Sequence, residues 1–107
     1  MISEAATGTQ TATISTEHTL STQIAAGVYG LVLDVHNMAS GDTLEVRVYC
    51  KVTASSTERQ FDVQTLTDAQ DNPVAVTPPI PGAHSTKFTI KQTAGTGRAY
   101  DWSVVKF

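Results

Sequence analysis

Apolar and polar residues alternate along the chain with a period of two, and the pattern is clearest between Thr43 and Val52. Every second position there is apolar, namely Leu44, Val46, Val48, Cys50 and Val52. The positions between them are Glu45, Arg47, Tyr49 and Lys51. A helix repeats every ~3.6 residues and cannot produce this alternation, whereas a strand with one face on a core does. The pattern predicts an antiparallel strand over residues 43–52, with the apolar set buried and Glu45, Arg47 and Lys51 exposed.

Weaker alternation predicts further strands, each bounded by residues that favour turns. They cover residues 12–16, 18–24, 28–35, 60–64, 74–77, 86–91 and 98–107. The side chains predicted to join the core from these strands are Tyr29, Leu31, Leu33, Val35, Phe88, Ile90, Tyr100, Trp102 and Val104. Residues 94–97 contain two glycines and predict a hairpin connection. The prolines of residues 78–81 exclude a central strand there and leave residues 74–77 as an edge strand.

The chain shows no helix-length apolar period, so it is predicted to be all-β. Seven or eight short strands indicate a two-sheet antiparallel sandwich, either jelly-roll or immunoglobulin-like. The immunoglobulin signature of Cys, Trp and Cys is absent, because Cys50 is the single cysteine and Trp102 lies in the last predicted strand. We therefore expect a jelly-roll-like sandwich as a single domain over residues 13–107. Residues 1–12 have little to bury, so we expect a flexible N-terminal arm that is ordered only against a partner.

Composition restricts the class of partner. The 107 residues carry a formal net charge of −3, which argues against a broad nucleic-acid interface. No apolar run reaches the ~20 residues of a membrane span, and the first residues lack the basic and apolar regions of an export signal. Only 16% of residues are charged, while 17 threonines and 8 serines supply polarity. Such a surface suits extended protein contacts, because few charges have to be desolvated.

The residues that usually carry chemistry do not form a recognisable constellation. The histidines are isolated in sequence and lack the spacing of a zinc site; they are His18, His36 and His84. Cys50 lies on an apolar face, where burial makes a thiol unreactive. Asp68 and Asp71 lack the ligand spacing of a calcium loop, and no Gly-x-Ser-x-Gly elbow is present. We expect no catalytic residues, no cofactor and no metal, and therefore a protein that is not an enzyme.

Four segments together resemble a family of small virion proteins of tailed bacteriophages, from the head gene module. They are residues 25–35, 44–52, 72–78 and 91–104, with the sequences AAGVYGLVLDV, LEVRVYCKV, NPVAVTP and KQTAGTGRAYDWSV. The family includes capsid decoration, or cement, proteins. The resemblance implies a structural protein that binds the outside of an assembled capsid and stabilises it. It also implies a major capsid protein lattice as partner, a homo-oligomer (dimer or trimer), synthesis in the host cytoplasm and location on the virion surface.

Two groups of residues are the candidates for the protein interface. Thr7, Thr9 and Thr11 lie in the predicted arm, and Glu45, Arg47, Tyr49 and Lys51 lie on the predicted exposed face of residues 43–52. Two other functions remain open. A head-tail connector or tail terminator would form a single ring, so copy number separates it from a decoration protein. A carbohydrate-binding module would need a row of exposed aromatic rings, and Tyr49 is the clear outward aromatic residue here.

Overall fold

The fold is described by a computed structural model for residues 2–107, and all regular structure in that range is β-strand. The strands are β1 (Ser3–Thr11), β2 (Glu17–Gln23), β3 (Gly27–Asp34), β4 (Thr43–Cys50), β5 (Arg59–Thr67), β6 (Val74–Val76), β7 (Ile80–Gly82), β8 (Thr86–Ala94) and β9 (Ala99–Lys106). The strands β3, β4, β8 and β9 lie close to their predicted positions, since these segments carry the clearest alternation of apolar and polar residues.

Two antiparallel sheets pack face to face. Sheet A has the strand order β1-β9-β3-β6, with β7 also pairing with β3, and sheet B has the order β2-β8-β4-β5. The strands β4 and β5 are consecutive and pair as a hairpin, whereas most other connections cross from one sheet to the other. This order of strands is that of a jelly roll. The predicted all-β, two-sheet sandwich is thereby confirmed.

The structure has nine strands where seven or eight were predicted. Both β6 and β7 pair with β3, at opposite ends of that strand. Pro78 and Pro79 lie between them and have no N–H to donate to a neighbouring strand, so one strand position beside β3 is split in two. Residues 12–16, predicted as a strand, instead contain a turn in which Ser15 has a φ of 65°.

The core lies between the inner faces of the two sheets. Its buried side chains include predicted members from both sheets, namely Tyr29, Leu31, Leu33, Val35, Leu44, Val46, Val48, Phe88, Ile90, Tyr100 and Val104. Cys50 and Trp102 are only partly buried and pack against this core. The prediction for Val52 is wrong, because β4 ends at Cys50 and Val52 lies in the next loop, 80% exposed.

The N-terminal segment differs most from the sequence-based expectation. Instead of a flexible arm, Ser3–Thr11 forms β1, the edge strand of sheet A, and pairs with β9 along its length. The backbone groups on that side of β9 gain hydrogen-bond partners from this pairing. Gly8 also packs against the ring of Trp102, so closely that a Cβ at Gly8 would lie 3.0 Å from it. Pairing with β9, and not apolar periodicity within the segment, is what makes these residues a strand.

The predicted hairpin after β8 is instead a crossover between the sheets, and it is held by Asp42. This side chain is 1% exposed. Its carboxylate accepts hydrogen bonds from the amides of Ala39 (2.9 Å) and Thr96 (3.1 Å) and from Nε of Arg98 (2.9 Å). Gly95, with a φ of 87°, lies so close that a Cβ would overlap the carboxylate. The loop therefore needs both the buried acid and the glycine.

Gln92 holds the same crossover from inside the core, where it is fully buried. Its Nε2 donates to the carbonyl oxygens of Ala94 (3.1 Å) and Thr96 (2.7 Å). Its Oε1 accepts from the amide of Arg98 (3.2 Å) and from the hydroxyl of Tyr100 (2.9 Å). Burial raises the pKa of Tyr100 to about 12, so this hydroxyl stays a donor through the neutral pH range.

Val48→Ala should lower the free energy of unfolding by about 1–3 kcal/mol, because it removes buried methyl groups and leaves a cavity. Val52→Ala makes the same chemical change on a side chain that is already in solvent. Urea denaturation of both variants measures the difference. Equal destabilisation by the two substitutions would contradict the placement of the end of β4.

Asp42→Asn should lower the free energy of unfolding at pH 7 by about 2 kcal/mol, because an amide oxygen accepts more weakly than a carboxylate. Burial acts to raise the pKa of Asp42, but hydrogen bonds from Ala39, Arg98 and Thr96 outweigh it and hold the pKa below its ordinary value of 3.8. The stabilisation is therefore fully present above pH ~4 and is lost as the pH falls through the lowered pKa.

The difference between the wild type and Asp42→Asn should accordingly shrink between pH 7 and pH 3, as measured by urea denaturation. Asp71→Asn is the matched control, since Asp71 is exposed in the turn before β6. It should follow the wild type at both pH values. A stability difference for Asp42→Asn that does not change with pH would show that its charge is not what stabilises the loop.

A chain lacking residues 2–11 should melt at a lower temperature and aggregate more readily than the full chain. The deletion removes β1, uncovers Trp102 and exposes the edge of β9 to pairing with other molecules. Thermal unfolding followed by light scattering measures both effects. An unchanged melting temperature would show instead that the segment behaves as the flexible arm expected from its composition.

Candidate functional site

The predicted interface residues lie on opposite outer faces of the sandwich. Thr7 pairs with Ser103, which pairs with Val32, and Val32 points away from the core between two buried leucines. Thr7, Thr9 and Thr11 therefore lie on the outer face of sheet A. Glu45, Arg47 and Tyr49 lie on the outer face of sheet B, between the buried residues of β4. The structure does not bring the two groups together into one surface.

The outer face of sheet B carries a hydrogen-bonded network with Glu17 of β2 at its centre. Glu17 Oε2 accepts hydrogen bonds from Tyr49 Oη and Thr89 Oγ1, both at 2.6 Å. Its Oε1 lies 3.4 Å from Arg47, whose other terminal nitrogen pairs with Glu45. Three neighbouring strands are thus joined across this face, from β2 through β8 to β4.

Lys87 of β8 extends the network toward the β4–β5 loop. Its Nζ lies 4.6 Å above the centre of the Tyr49 ring and 2.9 Å from Glu58. The other carboxylate oxygen of Glu58 accepts a hydrogen bond from Ser85 at 3.0 Å. Lys51 follows β4 at this end of the sheet and is half-buried, with its amide 3.4 Å from the carbonyl oxygen of Ser85.

These contacts correct the expectation that Glu45, Arg47 and Lys51 are exposed, because all three are half-buried. The surroundings of Glu17 also favour its charged form. Partial burial acts to raise the pKa of Glu17, but the hydrogen bonds from Thr89 and Tyr49 and the nearby cations outweigh it and lower the pKa. The charges of this face are therefore largely neutralised within the molecule. The ion pair between Glu17 and Arg47 could not be predicted from sequence, since the two residues lie on different strands and are 30 positions apart.

The outer face of sheet A has a different character. It exposes a set of apolar side chains, here called the apolar face, which comprises Val28, Val32, Val74, Val76, Val105 and Phe107. Val74, Val76 and Phe107 are 52%, 59% and 46% exposed. The set is continuous, because Val32 pairs with Val76 and the ring of Phe107 lies over Gly30, 3.4 Å from where a Cβ would be.

Acidic side chains border the apolar face. Asp34 and Asp101 line a shallow cavity of about 240 Å³ together with Val32, Val74, Trp102 and Ser103. Asp34 accepts hydrogen bonds from the amide (3.0 Å) and the ring Nδ1 (2.6 Å) of His36, and these bonds lower its pKa. Asp101 accepts a hydrogen bond from Thr9 Oγ1 at 2.5 Å. Among the strand residues that point outward from sheet A, none is lysine or arginine.

Sequence reasoning missed the apolar face, although a signal for it exists. In β3, Val28 and Val32 lie on the face that points away from the core, and in β9 Val105 lies on the face away from the buried Val104. A strand that is apolar on both faces is typical of burial on both sides. The prediction used only the core-facing side chains of each strand, so it did not identify the apolar side chains on the outer face.

Two further observations concern residues 2–107 as a whole. No group of three or more His, Cys, Asp and Glu side chains in that range is placed to hold a metal ion. Within the same range, no helix is long and apolar enough to cross a bilayer.

Comparison with protein-family models and with curated proteins gives no match. Comparison with solved structures finds similarity to the crystal structure of the infectious bursal disease virus VP2 subviral particle, with a TM-score of 0.55 and 16% sequence identity. The similarity covers 100% of this chain and 32% of that chain, so the protein spans about a third of the length of its structural neighbour. At this identity the comparison shows the fold alone. The chain has the β-sandwich fold found within a protein of a viral particle.

Proposed function

We propose that the protein is a non-catalytic structural component of a phage virion, which binds the outside of the assembled capsid and stabilises it. The observation that carries this proposal is the fold, since the whole chain corresponds to part of a protein that forms a subviral particle. The sequence resemblance to decoration proteins of tailed phages supports the same role and a location on the capsid surface.

The shape of the molecule suits such a role. The sandwich measures 41 × 30 × 18 Å, so it presents two broad sheet faces to potential partners. A decoration protein contacts more than one capsid subunit, and most of its binding free energy then exists only on the closed lattice. We expect a homo-oligomer, a dimer or trimer, because several weak contacts held together bind more tightly than one. We place Thr7, Thr9 and Thr11 at the rim of the contact surface.

The alternative functions are less well supported by the geometry. A carbohydrate-binding module stacks sugars on exposed aromatic rings, but one face of the Tyr49 ring is covered by Lys87. The exposed rings of Phe61 and Phe107 lie in different sheets and do not form a row. A head-tail connector would use the same fold in a single ring, and copy number distinguishes it.

Capsids that carry the protein should survive a higher temperature than capsids that lack it, because a ligand that binds only the assembled shell stabilises that shell. The measurement compares particles made without the protein, the same particles after the purified protein is added back, and untreated particles, each followed by DNA release on heating. Bovine serum albumin at equal concentration is the control for non-specific protection.

Two results would contradict the proposal. Bare and decorated particles that fail at the same temperature would show that the protein does not stabilise the shell. A single ring of copies at one vertex, seen in a particle reconstruction, would identify a connector instead.

A further inference from the structure

We propose that the protein binds the capsid through the apolar face of sheet A, and that a lysine or arginine of the shell enters the cavity between Asp34 and Asp101. This inference rests on the proposed function and specifies the contact surface and the chemistry of the partner. The proposed contact surface lies on sheet A, whereas one group of candidates predicted from sequence lies on sheet B. That group is Glu45, Arg47, Tyr49 and Lys51.

The first argument compares the two outer faces. The acidic side chains of sheet B already have ion-pair partners within the molecule, whereas the apolar side chains of sheet A are partly exposed to water. On sheet B, the carboxylates of Glu17, Glu45 and Glu58 each pair with a cation of the same face. A partner docking there would have to break or desolvate these pairs, which costs free energy. On sheet A, about half of the side-chain surface of Val74, Val76 and Phe107 is exposed to water, so covering it gains free energy from the hydrophobic effect.

The second argument is the arrangement of the apolar face. Its members are Phe107 and residues of β3, β6 and β9, and they form one continuous surface, because β3 lies between β9 and β6. An apolar centre with a polar rim is the usual anatomy of a protein interface. Thr7 and Thr9 of β1 supply the hydroxyl rim on one side, and Asp34 supplies a charged group on another.

Charge determines the chemistry of the partner. The cavity beside Val32 and Val74 has a carboxylate at two of its walls, Asp34 and Asp101. Asp34 is held in position by two hydrogen bonds from His36 and stays ionised, while the outward positions of sheet A carry no lysine or arginine to neutralise it. A lysine or arginine side chain fits this site, because its aliphatic stem packs on valine while its charged end reaches the acids.

The experiment measures binding of purified protein to bare shells of the phage's own major capsid protein by co-sedimentation. Val76→Glu places a charge in the apolar face, and Asp101→Lys reverses the charge of the cavity. Each should weaken binding about 10- to 30-fold, the loss typical of an important interface residue. The matched control is Val63→Glu, which makes the same substitution on the edge strand of sheet B, where Val63 is 43% exposed and pairs with Arg47. It should bind within about 2-fold of the wild type.

Salt provides an independent readout of the cation. Wild-type binding should weaken as the salt concentration rises, because a charged contact at the interface is screened. Asp101→Asn removes one of the two acids with little change in shape, and its binding should depend less steeply on salt. Melting temperatures of all variants, measured beforehand, establish that each one is folded at the assay temperature.

The possible results separate this inference from the proposed function. If the wild type does not bind bare shells, the decoration role itself is wrong. If the wild type binds and Val63→Glu loses binding while Val76→Glu does not, the role stands and the contact surface is on sheet B. If Val76→Glu instead converts a wild-type oligomer to monomers and leaves shell binding intact, the apolar face joins copies of this chain and the inference is overturned.

Discussion

The buried carboxylate of Asp42 is the interaction on which the rest of the sandwich most depends. In a jelly roll the two sheets are joined by loops, and at one end of this molecule Asp42 connects three of them. Its side chain binds the β3–β4 loop at Ala39 and the β8–β9 crossover at Thr96 and Arg98. Its carbonyl oxygen accepts from the amide of Asp68, in the loop after β5. Gln92 adds the fourth connection, because its carbonyl oxygen accepts from Ser15 at 2.7 Å.

The hydrogen bonds of Asp42 and Gln92 at this end of the molecule hold together the loops that connect the two sheets. Two sets of the molecule's charged side chains are paired with each other, the Asp42–Arg98 pair at one end and the Glu17 network across sheet B. Both sets are bonded within the molecule, whereas the outward strand positions of sheet A carry acids but no lysine or arginine to pair with them. The outer faces of sheets A and B therefore differ in how their charged side chains are paired, and no single residue accounts for this difference.

Much of the fold could be predicted from sequence, because apolar and polar residues alternate along β4 and along parts of β8 and β9, with most of the inward side chains apolar. The prediction extended β4 to Val52, since alternation alone does not show where pairing ends. It missed β1, whose residues carry no apolar periodicity and form a strand only because β9 offers an unpaired edge. It also interpreted Gly95 as a hairpin residue, whereas the glycine is needed for contact with Asp42, 53 positions earlier in the sequence. The partners of Glu17 in its network are also distant in sequence, 30 to 72 positions away, so no local pattern indicates them.

The strand order also has a consequence for how the protein is made. Strands β8 and β9 follow β1–β7 in the chain, yet they occupy central positions in their sheets, with β8 between β2 and β4 and β9 between β1 and β3. Neither sheet can be completed while these residues are still inside the ribosome, and the early strands have only the β4–β5 hairpin as a local pairing. Folding must therefore wait until β9 has left the ribosome and then join strands far apart in sequence, which makes it slow compared with folds rich in local contacts. During that interval the unfinished edges of β1, β2, β3 and β4 are open to pairing with other chains, which favours aggregation of incompletely folded copies.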